Sequence, residues 1–315
     1  MKMLLTEAAV LSKGGDVSFE GLERFGELTV CENMSYTELE NAIADYDVLF
    51  CNKLNIDKNI IDRAVNLKYI GECATGYNNI DVAYCKEKGI TVCNAGEYST
   101  SAVAQHTFAY ILNHFSRVAE YDIFVKNDGW INSPVFSPVI TTTDEIEGRT
   151  LGIIGFGSIG RRVAKIAESF GMKVLVNTRT IRDNNAEYVS LEELLKRSDI
   201  VTLHCPLTAD NAEMMNEKTF ALCKDGAFFI NTARGGLVNE QALYDALSSG
   251  KLSGAAVDVV TKEPMLPDCV LIKAPNITIT PHSAWVPVST RKRLLGIVEA
   301  NLEGFINGTP QNKIV

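Results

Sequence analysis

The sequence has no long apolar run and no surplus of basic residues, and these two absences exclude several classes of protein. No apolar run in the 315 residues approaches the roughly 18–20 residues that a membrane-spanning helix requires. The chain holds 30 Lys and Arg against 39 Asp and Glu, so its formal net charge is −9. Because an acidic surface repels a phosphate backbone, we expect neither a nucleic-acid partner nor a membrane partner.

Cysteine is well represented, but the patterns that would give it a chemical role are missing. None of the eight cysteines belongs to a C-x-x-C pair, and no group of Cys and His has the spacing of a zinc site. We therefore predict no metal. Several cysteines lie in apolar strand-like runs such as DVLFC, where a thiol behaves as a small hydrophobic side chain. Reduced core thiols predict a cytoplasmic location.

The second half of the chain alternates strand and helix patterns. A chain of this length favours two domains, because single cores stop growing at about 250–300 residues. Alternating strands and helices joined by right-handed crossovers predict an α/β domain with a doubly wound parallel sheet, the Rossmann type. The strand candidates begin near Leu151, Lys173, Ile200, Ala227, Gly254 and Ile277.

The first hundred residues repeat this alternation more weakly and predict a smaller, flavodoxin-like α/β domain. Its strand candidates cover residues 3–5, 28–31, 48–51, 69–71 and 90–93. A helix candidate near 290–307 has no strand after it, so we expect it to pack on the first domain. The predicted domains are therefore 1–99 with 286–315, which forms a discontinuous substrate domain, and 100–285, which binds the cofactor.

A long helix is predicted between these domains, over about residues 100–118. Apolar residues recur along it at intervals of three and four, which indicates one buried face. That face is expected to contain Ala104, Phe108, Ile111, Phe115 and Val118. The polar stretch 131–150 that follows is predicted to be a loop.

Three glycines directly follow the first strand of the larger domain. In TLGIIGFGSIG, Gly155, Gly157 and Gly160 stand between an apolar strand and a helix, the context that a dinucleotide-binding turn requires. Such a turn needs one glycine to bend sharply, one to admit the pyrophosphate and one to let helix and strand pack closely. The alternative interpretation is an ordinary strand-to-helix turn.

The end of the next strand lacks the acid that is typical of NAD sites. A carboxylate about 20 residues after the glycines normally binds the adenine-ribose hydroxyls. Here Asn177 occupies that position, and Arg179 follows two residues later. An amide does not repel a 2′-phosphate and arginine can bind one, so NADPH is predicted to be accepted, with Thr178, Thr180 and Arg182 as further donors. Alternatively, Arg179 is an ordinary surface side chain.

Three residues suited to redox chemistry on a keto or hydroxy acid follow successive strands. Arg234 in INTARGG can hold a carboxylate and polarise a carbonyl, and His282 in TITPHSAW can exchange a proton near neutral pH. Glu263 in DVVTKEP can fix the tautomer of the histidine. Because the carboxyl ends of parallel strands share one edge of a sheet, we predict that these residues form a catalytic set.

From about Tyr69 to the C-terminus, the sequence resembles the D-isomer-specific 2-hydroxyacid dehydrogenases. The matching motifs are GYNNID (76–81), YSTSAVAQHT (98–107), EGRTLGIIGFGSIG (147–160), HCPLT (204–208), INTARGG (230–236), DVVTKEP (258–264) and TPHSAW (280–285). Within the family, YSTSAVAQHT, Trp285 and the ending NLEGFINGTPQN are most similar to the glycerate dehydrogenases, also called hydroxypyruvate reductases.

The resemblance implies a role for individual residues. Arg234 would bind the substrate carboxylate and carbonyl, His282 would be the acid/base and Glu263 would orient it. The backbone amides of Thr75 and Gly76 would also bind the substrate carboxylate, with Trp285 lining the pocket. The further cofactor-binding residues that it implies are Ser158, Ile159, Pro206, Thr232, Ala233 and Asp258. Members of the family are usually homodimers around the long helix.

The predicted function is NAD(P)-dependent reduction of a small 2-keto acid, such as hydroxypyruvate or glyoxylate, to the D-2-hydroxy acid. A relative that acts on D-lactate or phosphoglycerate is the enzymatic alternative. A corepressor-like protein that senses dinucleotides is a second alternative, although it would not need the set of Arg234, Glu263 and His282. An S-adenosylmethionine enzyme shares glycine-rich turns but has no use for Arg234 and His282.

Overall fold

The computed structural model of the chain describes residues 1–181 and 186–315, and these residues divide into two compact units. The first unit combines Met1–Ser99 with Trp285–Val315, and the second unit is Thr100–Ala284. Trp285 thus groups with the first unit, one residue away from the boundary expected from the sequence. None of the described helices has both the length and the apolar content that crossing a bilayer requires.

The first unit is built on a five-stranded parallel sheet of order β2-β1-β3-β4-β5. The strands are β1 (Lys2–Leu5), β2 (Glu27–Val30), β3 (Val48–Cys51), β4 (Tyr69–Glu72) and β5 (Thr91–Cys93). The helices are α1 (Ala8–Leu11), α2 (Glu20–Glu23), α3 (Tyr36–Ala42), α4 (Lys58–Arg63), α5 (Val82–Lys88) and the C-terminal α12 (Val288–Ile306). Strands β3 and β4 are buried along their whole length, as expected for a parallel sheet covered on both faces.

The second unit contains a seven-stranded parallel sheet of order β12-β11-β10-β9-β6-β7-β8. The strands are β6 (Thr150–Ile154), β7 (Lys173–Asn177), β8 (Glu187–Tyr188), β9 (Ile200–Leu203), β10 (Ala227–Asn231), β11 (Leu252–Val257) and β12 (Ile277–Ile279). The helices are α6 (Thr100–Ser116), α7 (Val118–Lys126), α8 (Ser158–Ser169), α9 (Leu191–Arg197), α10 (Glu217–Leu222) and α11 (Glu240–Ser248). The strand order reverses between β6 and β9, which makes the crevice at their carboxyl ends the expected ligand site.

The predicted fold class, two parallel α/β units of which the second is doubly wound, is confirmed. The prediction for the long helix was wrong at its end. Ala104, Phe108 and Ile111 are buried, but 65% of Val118 is exposed. The helix stops at Ser116 because Arg117 adopts a left-handed backbone conformation with φ of 51°, and α7 begins after it. Both α7 and the two-residue strand β8 were missed, since neither shows a clear apolar period.

Candidate active site

His282 and Glu263 are in direct contact in the second unit. Nδ1 of His282 lies 2.7 Å from Oε2 of Glu263, and their side chains are 24% and 34% exposed. Since the carboxylate engages Nδ1, Nε2 is the ring nitrogen that can exchange a proton with a ligand. The pair therefore has the geometry of an oriented acid/base that a ligand can reach.

A buried carboxylate fixes the loop that carries His282. Asp258 is 2% exposed, and its side chain accepts hydrogen bonds from the backbone N–H groups of Ser283 at 2.7 Å and Ala284 at 2.9 Å. The backbone N–H of His282 donates to the carbonyl oxygen of Asp258 at 2.7 Å. His282 has a φ of 52°, a left-handed conformation that these bonds hold in place. Asp258, expected at the nicotinamide, thus has its carboxylate engaged by this loop.

Helix α6 extends this network with two side chains that sequence reasoning missed. The hydroxyl of Thr280, which donates to Asp258, lies 2.5 Å from the hydroxyl of Tyr110 and 3.3 Å from Nε2 of His106. Burial raises the pKa of Tyr110, so its hydroxyl stays protonated. His106 and Tyr110 are four residues apart, one helical turn, and this spacing next to the apolar face was the available signal.

Arg234 lies in a tight turn at the end of β10. Asn231, which is 1% exposed, accepts a hydrogen bond from the Ala233 N–H at 3.0 Å and donates one to the Arg234 carbonyl at 2.9 Å. A Cβ atom on Gly235 would lie 1.9 Å from the carbonyl carbon of Val260, so only glycine fits there. The turn of Arg234 therefore packs against the segment that carries Glu263, whose Oε1 accepts from the Val260 N–H at 3.2 Å.

The glycine turn after β6 fits a dinucleotide pyrophosphate. Gly155 has a φ of 96°, and a Cβ atom on it would lie 2.5 Å from the backbone nitrogen of Cys205. A Cβ on Gly160 would lie 2.2 Å from the carbonyl oxygen of Gly155, whereas Gly157 faces open space. Gly157 caps α8 without any side-chain hydrogen bond, so the first amides of this helix, from Ser158 and Ile159 onward, can bind an anion.

Asn177 ends β7 with its amide group already oriented. Nδ2 donates to the carbonyl oxygen of Val189 at 3.0 Å, which leaves Oδ1 to accept a hydrogen bond from a ligand hydroxyl. An aspartate here would set a negatively charged oxygen against the Val189 carbonyl. Arg179 is exposed. Its positive charge opposes the rise in the pKa of Cys205 that burial causes, so Arg179 lies close enough to act on Cys205, two residues after the end of β9.

The other residues predicted at the cofactor occupy nearby strand ends. Thr178 is half-buried and Thr180 is exposed, while Arg182 lies outside the described residues. The hydroxyl of Thr232 is 3.5 Å from that of Thr107 on α6. Pro206 is exposed, and its carbonyl accepts a hydrogen bond from Asn211 at 2.8 Å. The second unit thus carries the predicted cofactor residues at the carboxyl edge of its sheet.

In the first unit, Thr75 and Gly76 belong to the loop after β4. The Thr75 carbonyl accepts from Nδ2 of Asn94 at 2.7 Å, and the Thr75 hydroxyl donates to the carbonyl of Gly96. Within the described part of the chain, no acceptor is bonded to the backbone N–H of Thr75 or Gly76. Two adjacent N–H groups are therefore available to a carboxylate.

Trp285, predicted to line the pocket, is mostly buried in the first unit. It is 8% exposed and packs edge-on against Tyr98 with ring centroids 6.1 Å apart. It belongs to the apolar cluster that α12 forms with one face of the sheet. This burial favours a packing role for Trp285 over direct contact with a ligand.

Comparison with known proteins identifies the family. Residues 108–284 match the model of the D-isomer specific 2-hydroxyacid dehydrogenase, NAD binding domain. The chain belongs to this family, and the resemblance seen in its motifs is confirmed. It is an oxidoreductase of the class that uses a nicotinamide dinucleotide.

Two curated relatives have names that indicate a substrate. The chain is 38% identical to a hydroxypyruvate reductase of Blautia hydrogenotrophica over 321 aligned residues, which cover 100% of this chain and 99% of the relative. It is also 38% identical to a glyoxylate reductase of Thermococcus litoralis over 259 residues, 80% of this chain and 78% of the relative.

Two solved structures share the fold and were determined with different dinucleotides. An acyclic imino acid reductase in complex with NADPH and D-Arg is 31% identical, with a TM-score of 0.87 and full coverage of both chains at 100%. The D-lactate dehydrogenase of Aquifex aeolicus, complexed with NAD and lactic acid, is 31% identical with a TM-score of 0.85, covering 98% of this chain and 96% of that one. Equal identity to both gives no preference between NAD and NADP.

Proposed function

We propose that the protein reduces a small 2-keto acid of the hydroxypyruvate or glyoxylate type to the D-2-hydroxy acid. The observation that carries this proposal is the 2.7 Å contact between His282 and Glu263, next to the turn of Arg234. The names of the relatives, hydroxypyruvate reductase and glyoxylate reductase, support the same substrate class.

His282 moves the proton in this reaction. With its Nδ1 bonded to Glu263, the protonated imidazole donates from Nε2 to the keto oxygen as that oxygen gains negative charge. A nicotinamide dinucleotide, when bound, would supply the hydride. Glu263 stabilises the charged imidazolium before transfer and keeps the ring in one orientation afterwards. In oxidation of the hydroxy acid, neutral His282 accepts the proton through the same nitrogen.

Each unit offers donors for a substrate carboxylate in this proposal: Arg234 in the second unit, and the loop after β4 in the first. The guanidinium of Arg234 offers paired N–H donors, a match for a carboxylate or a keto oxygen. The N–H groups of Thr75 and Gly76 offer two further donors without a formal charge. Trp285 then stabilises the first unit by packing in its apolar cluster.

The cofactor would be held by the glycine turn and the residues after β7, and NADPH would be accepted along with NADH. Gly155, Gly157, Ser158, Ile159 and Gly160 would hold the pyrophosphate, and Thr232, Ala233 and Pro206 would flank the rest of the dinucleotide. Asn177 supports acceptance of NADPH because its Oδ1 carries no charge to repel a 2′-phosphate. Arg179 and the hydroxyls of Thr178 and Thr180 provide donors for that phosphate.

A homodimer is part of the proposal, since α7 and the segment after it expose many large apolar side chains. A monomer rarely leaves so much contiguous apolar surface in water. The exposed residues are Val118, Ile123, Val125, Trp130, Ile131, Val135, Phe136, Val139 and Ile140. Light scattering should give about twice the chain mass, and replacing Ile131 and Phe136 with serine should give a monomer.

A cytoplasmic location completes the proposal. All eight cysteines are free thiols, which suits a reducing compartment. Cell fractionation that recovers the protein with cytoplasmic markers would support it.

The test of the function is an initial-rate screen of small keto acids with NADH and NADPH side by side. Hydroxypyruvate, glyoxylate, pyruvate and phosphohydroxypyruvate are the informative substrates. We expect the highest kcat/KM with one of the first two. Turnover confined to pyruvate or phosphohydroxypyruvate would favour the alternative enzymes, and tight dinucleotide binding without turnover would favour a sensor.

A further inference from the structure

The carboxyl group of Glu72 is buried at the end of β4 in the first unit, and none of the steps proposed above uses it. Glu72 is 0% exposed, and its Oε2 accepts hydrogen bonds from Sγ of Cys51 at 3.2 Å and Nδ2 of Asn79 at 3.1 Å. Oε1 has no hydrogen-bond partner among the described residues. Burying a charged carboxylate with an unpaired oxygen is costly, so this environment favours the neutral acid.

Two charged groups affect the pKa of Glu72 besides burial. Glu7 raises it, as burial does, and Lys53 lowers it by less. Burial raises the pKa of Glu72 to about 8, the hydrogen bonds from Asn79 and Cys51 oppose the rise, and the Glu7 carboxylate adds to it. Burial also raises the pKa of Cys51, so this thiol keeps the proton that it donates. The helices packed on this face contribute mainly apolar side chains. The titratable groups around the carboxyl are Glu7, Cys51, Lys53 and Cys73. On the same face of the sheet, Cys85 is buried and Cys31, Tyr36, Tyr46 and Tyr84 are partly buried.

Asn79 connects Glu72 to two loops at the carboxyl edge of the sheet. Its Nδ2 also donates to the Leu54 carbonyl at 3.1 Å, and its own carbonyl accepts from the Ile56 N–H at 2.7 Å. The loop 52–56 is anchored in turn by Glu7, whose carboxylate accepts from the N–H groups of residues 52, 53 and 54. The segment 73–80, which carries Thr75 and Gly76, is thus joined to a fixed neighbour through Asn79.

We propose that Glu72 is a positioning residue: in its uncharged form it holds Asn79, and through Asn79 it orders the segment that offers the N–H groups of Thr75 and Gly76. The identity of the ligand at those N–H groups, a keto-acid carboxylate, rests on the proposed function. Ionisation strengthens the hydrogen bond from Asn79, but it also buries a full negative charge near Glu7 on a carboxylate whose Oε1 has no partner among the described residues. Because burying such a charge costs more than one hydrogen bond returns, the segment opens to let water reach the carboxylate. Binding of the keto acid then weakens, while the groups that move the proton are untouched.

The test compares KM for hydroxypyruvate between the wild type and Glu72→Gln at pH 7 and pH 9. Glutamine can accept the same hydrogen bonds through its oxygen, but it does not ionise. Because the two proteins share every other ionisable group, the ratio of wild-type KM to variant KM isolates Glu72. We expect this ratio to rise about tenfold between the two pH values, as 90% or so of the wild-type carboxyl groups ionise. A ratio that stays constant overturns the proposal.

Asn79→Ala tests the connection itself. It should raise KM at pH 7 without lowering kcat, because the loop loses its attachment to Glu72. Asn66→Ala is the matched control, since Asn66 makes a similar amide-to-carbonyl bond to Ala44, at 2.7 Å, elsewhere in the same unit. Equal KM values for the two variants would contradict the proposal.

A second readout does not depend on the substrate. Amide hydrogen exchange of segment 73–80, corrected for the intrinsic rate, should lose about tenfold in protection between pH 7 and pH 9 in the wild type but not in Glu72→Gln. If no keto acid is turned over, the proposed function fails and this measurement still decides the role of Glu72. Equal loss of protection in both proteins would refute that role.

Discussion

The two units offer different kinds of chemical group to a ligand. The second unit provides side chains at strand ends, namely Arg234, Glu263 and His282, whereas the first provides backbone N–H groups at Thr75 and Gly76. Side chains can supply charge and protons, while backbone groups supply only position and partial charge. We therefore expect substitution of His282 in the second unit to change mainly kcat, and changes that disorder the loop after β4 in the first unit to change mainly KM.

The units also differ in the ionisable groups that they bury. Burial raises the pKa of Glu72 in the first unit from 4.5 to about 8, so its contribution to stability is complete below pH 4.5 and falls as the pH rises towards 8. In the second unit, burial lowers the pKa of His114 from 6.5 to about 4 and that of His204 to about 3. Their contribution is complete above pH 6.5 and falls as the pH drops towards 4 or 3. Burial favours the neutral form of all three groups. Raising the pH therefore destabilises the first unit through Glu72, whereas lowering the pH destabilises the second unit through His114 and His204.

The largest effect that we predict belongs to the side-chain chemistry of the second unit. His282→Ala should lower kcat by roughly 10²–10⁴, the usual contribution of a positioned acid/base, and leave dinucleotide binding nearly intact. His114→Ala is the control, because His114 on α6 is hydrogen-bonded to Ser253 near the amino end of β11, whereas His282 follows the carboxyl end of β12. Stopped-flow or steady-state assays measure the effect. A kcat near that of the wild type would remove His282 from the mechanism.

Cofactor choice should depend on one side chain of the same unit. Arg179→Ala should lower the ratio of kcat/KM for NADPH to that for NADH by about tenfold or more, because a charge-assisted contact contributes roughly 1.5–3 kcal/mol. Arg162→Ala, an exposed arginine on α8, is the matched control. A wild type that prefers NADH more than tenfold, or a ratio unaffected by Arg179→Ala, would refute this account of the β7 end.

Glu263→Gln should shift the pH profile rather than abolish activity. Without the carboxylate, the charged form of His282 loses its stabilising partner, so the alkaline limb of keto-acid reduction should move towards lower pH. Glu240→Gln serves as the control, since Glu240 accepts from the Thr261 N–H at 2.7 Å in the same region. Identical limbs in the wild type and Glu263→Gln would mean that the pair does not act together.

A last prediction tests the contrast between the units directly. The free energy of unfolding in urea should fall by about 3 kcal/mol less in Glu72→Gln than in the wild type between pH 5 and pH 8, because each pH unit over which only the unfolded carboxyl ionises costs roughly 1.4 kcal/mol. His114→Asn should instead lose less than the wild type between pH 7 and pH 5. The comparison uses the slope of the unfolding free energy with pH and not its absolute value, because a constant cost of each substitution then cancels. Parallel slopes in all three proteins would abolish the contrast.

The sequence predicted the second unit better than the first for a physical reason. Its strands and helices alternate regularly, so the strand ends at Arg234, Glu263 and His282 could be located and their proximity inferred from the shared sheet edge. The pair of His282 and Glu263 is 19 residues apart, yet both follow parallel strands. The local periodicity of the strands thus made the contact between His282 and Glu263 predictable, although the two residues are distant in the sequence.

The contacts that could not be predicted are made by buried polar side chains. Glu7 binds N–H groups about 45 residues away, and Tyr110 meets Thr280 across 170 residues. No periodic pattern marks such bonds, because they depend on the final packing of strands that are distant in the sequence. The same holds for Asp258, for which the family resemblance implied a ligand contact, although its carboxylate accepts hydrogen bonds from the backbone of Ser283 and Ala284.

The return of α12 to the first unit has a consequence for biosynthesis. The ribosome finishes residues 100–284 before it makes the helix whose Leu294, Val298 and Leu302 cover Met3 and Tyr69. Until then the nascent first unit exposes one apolar face of its sheet, the kind of surface on which chaperones act. We expect the middle of the polypeptide to reach its native state first. The N-terminal strands leave the exit tunnel earliest, yet we expect their apolar side chains to be among the last to be buried.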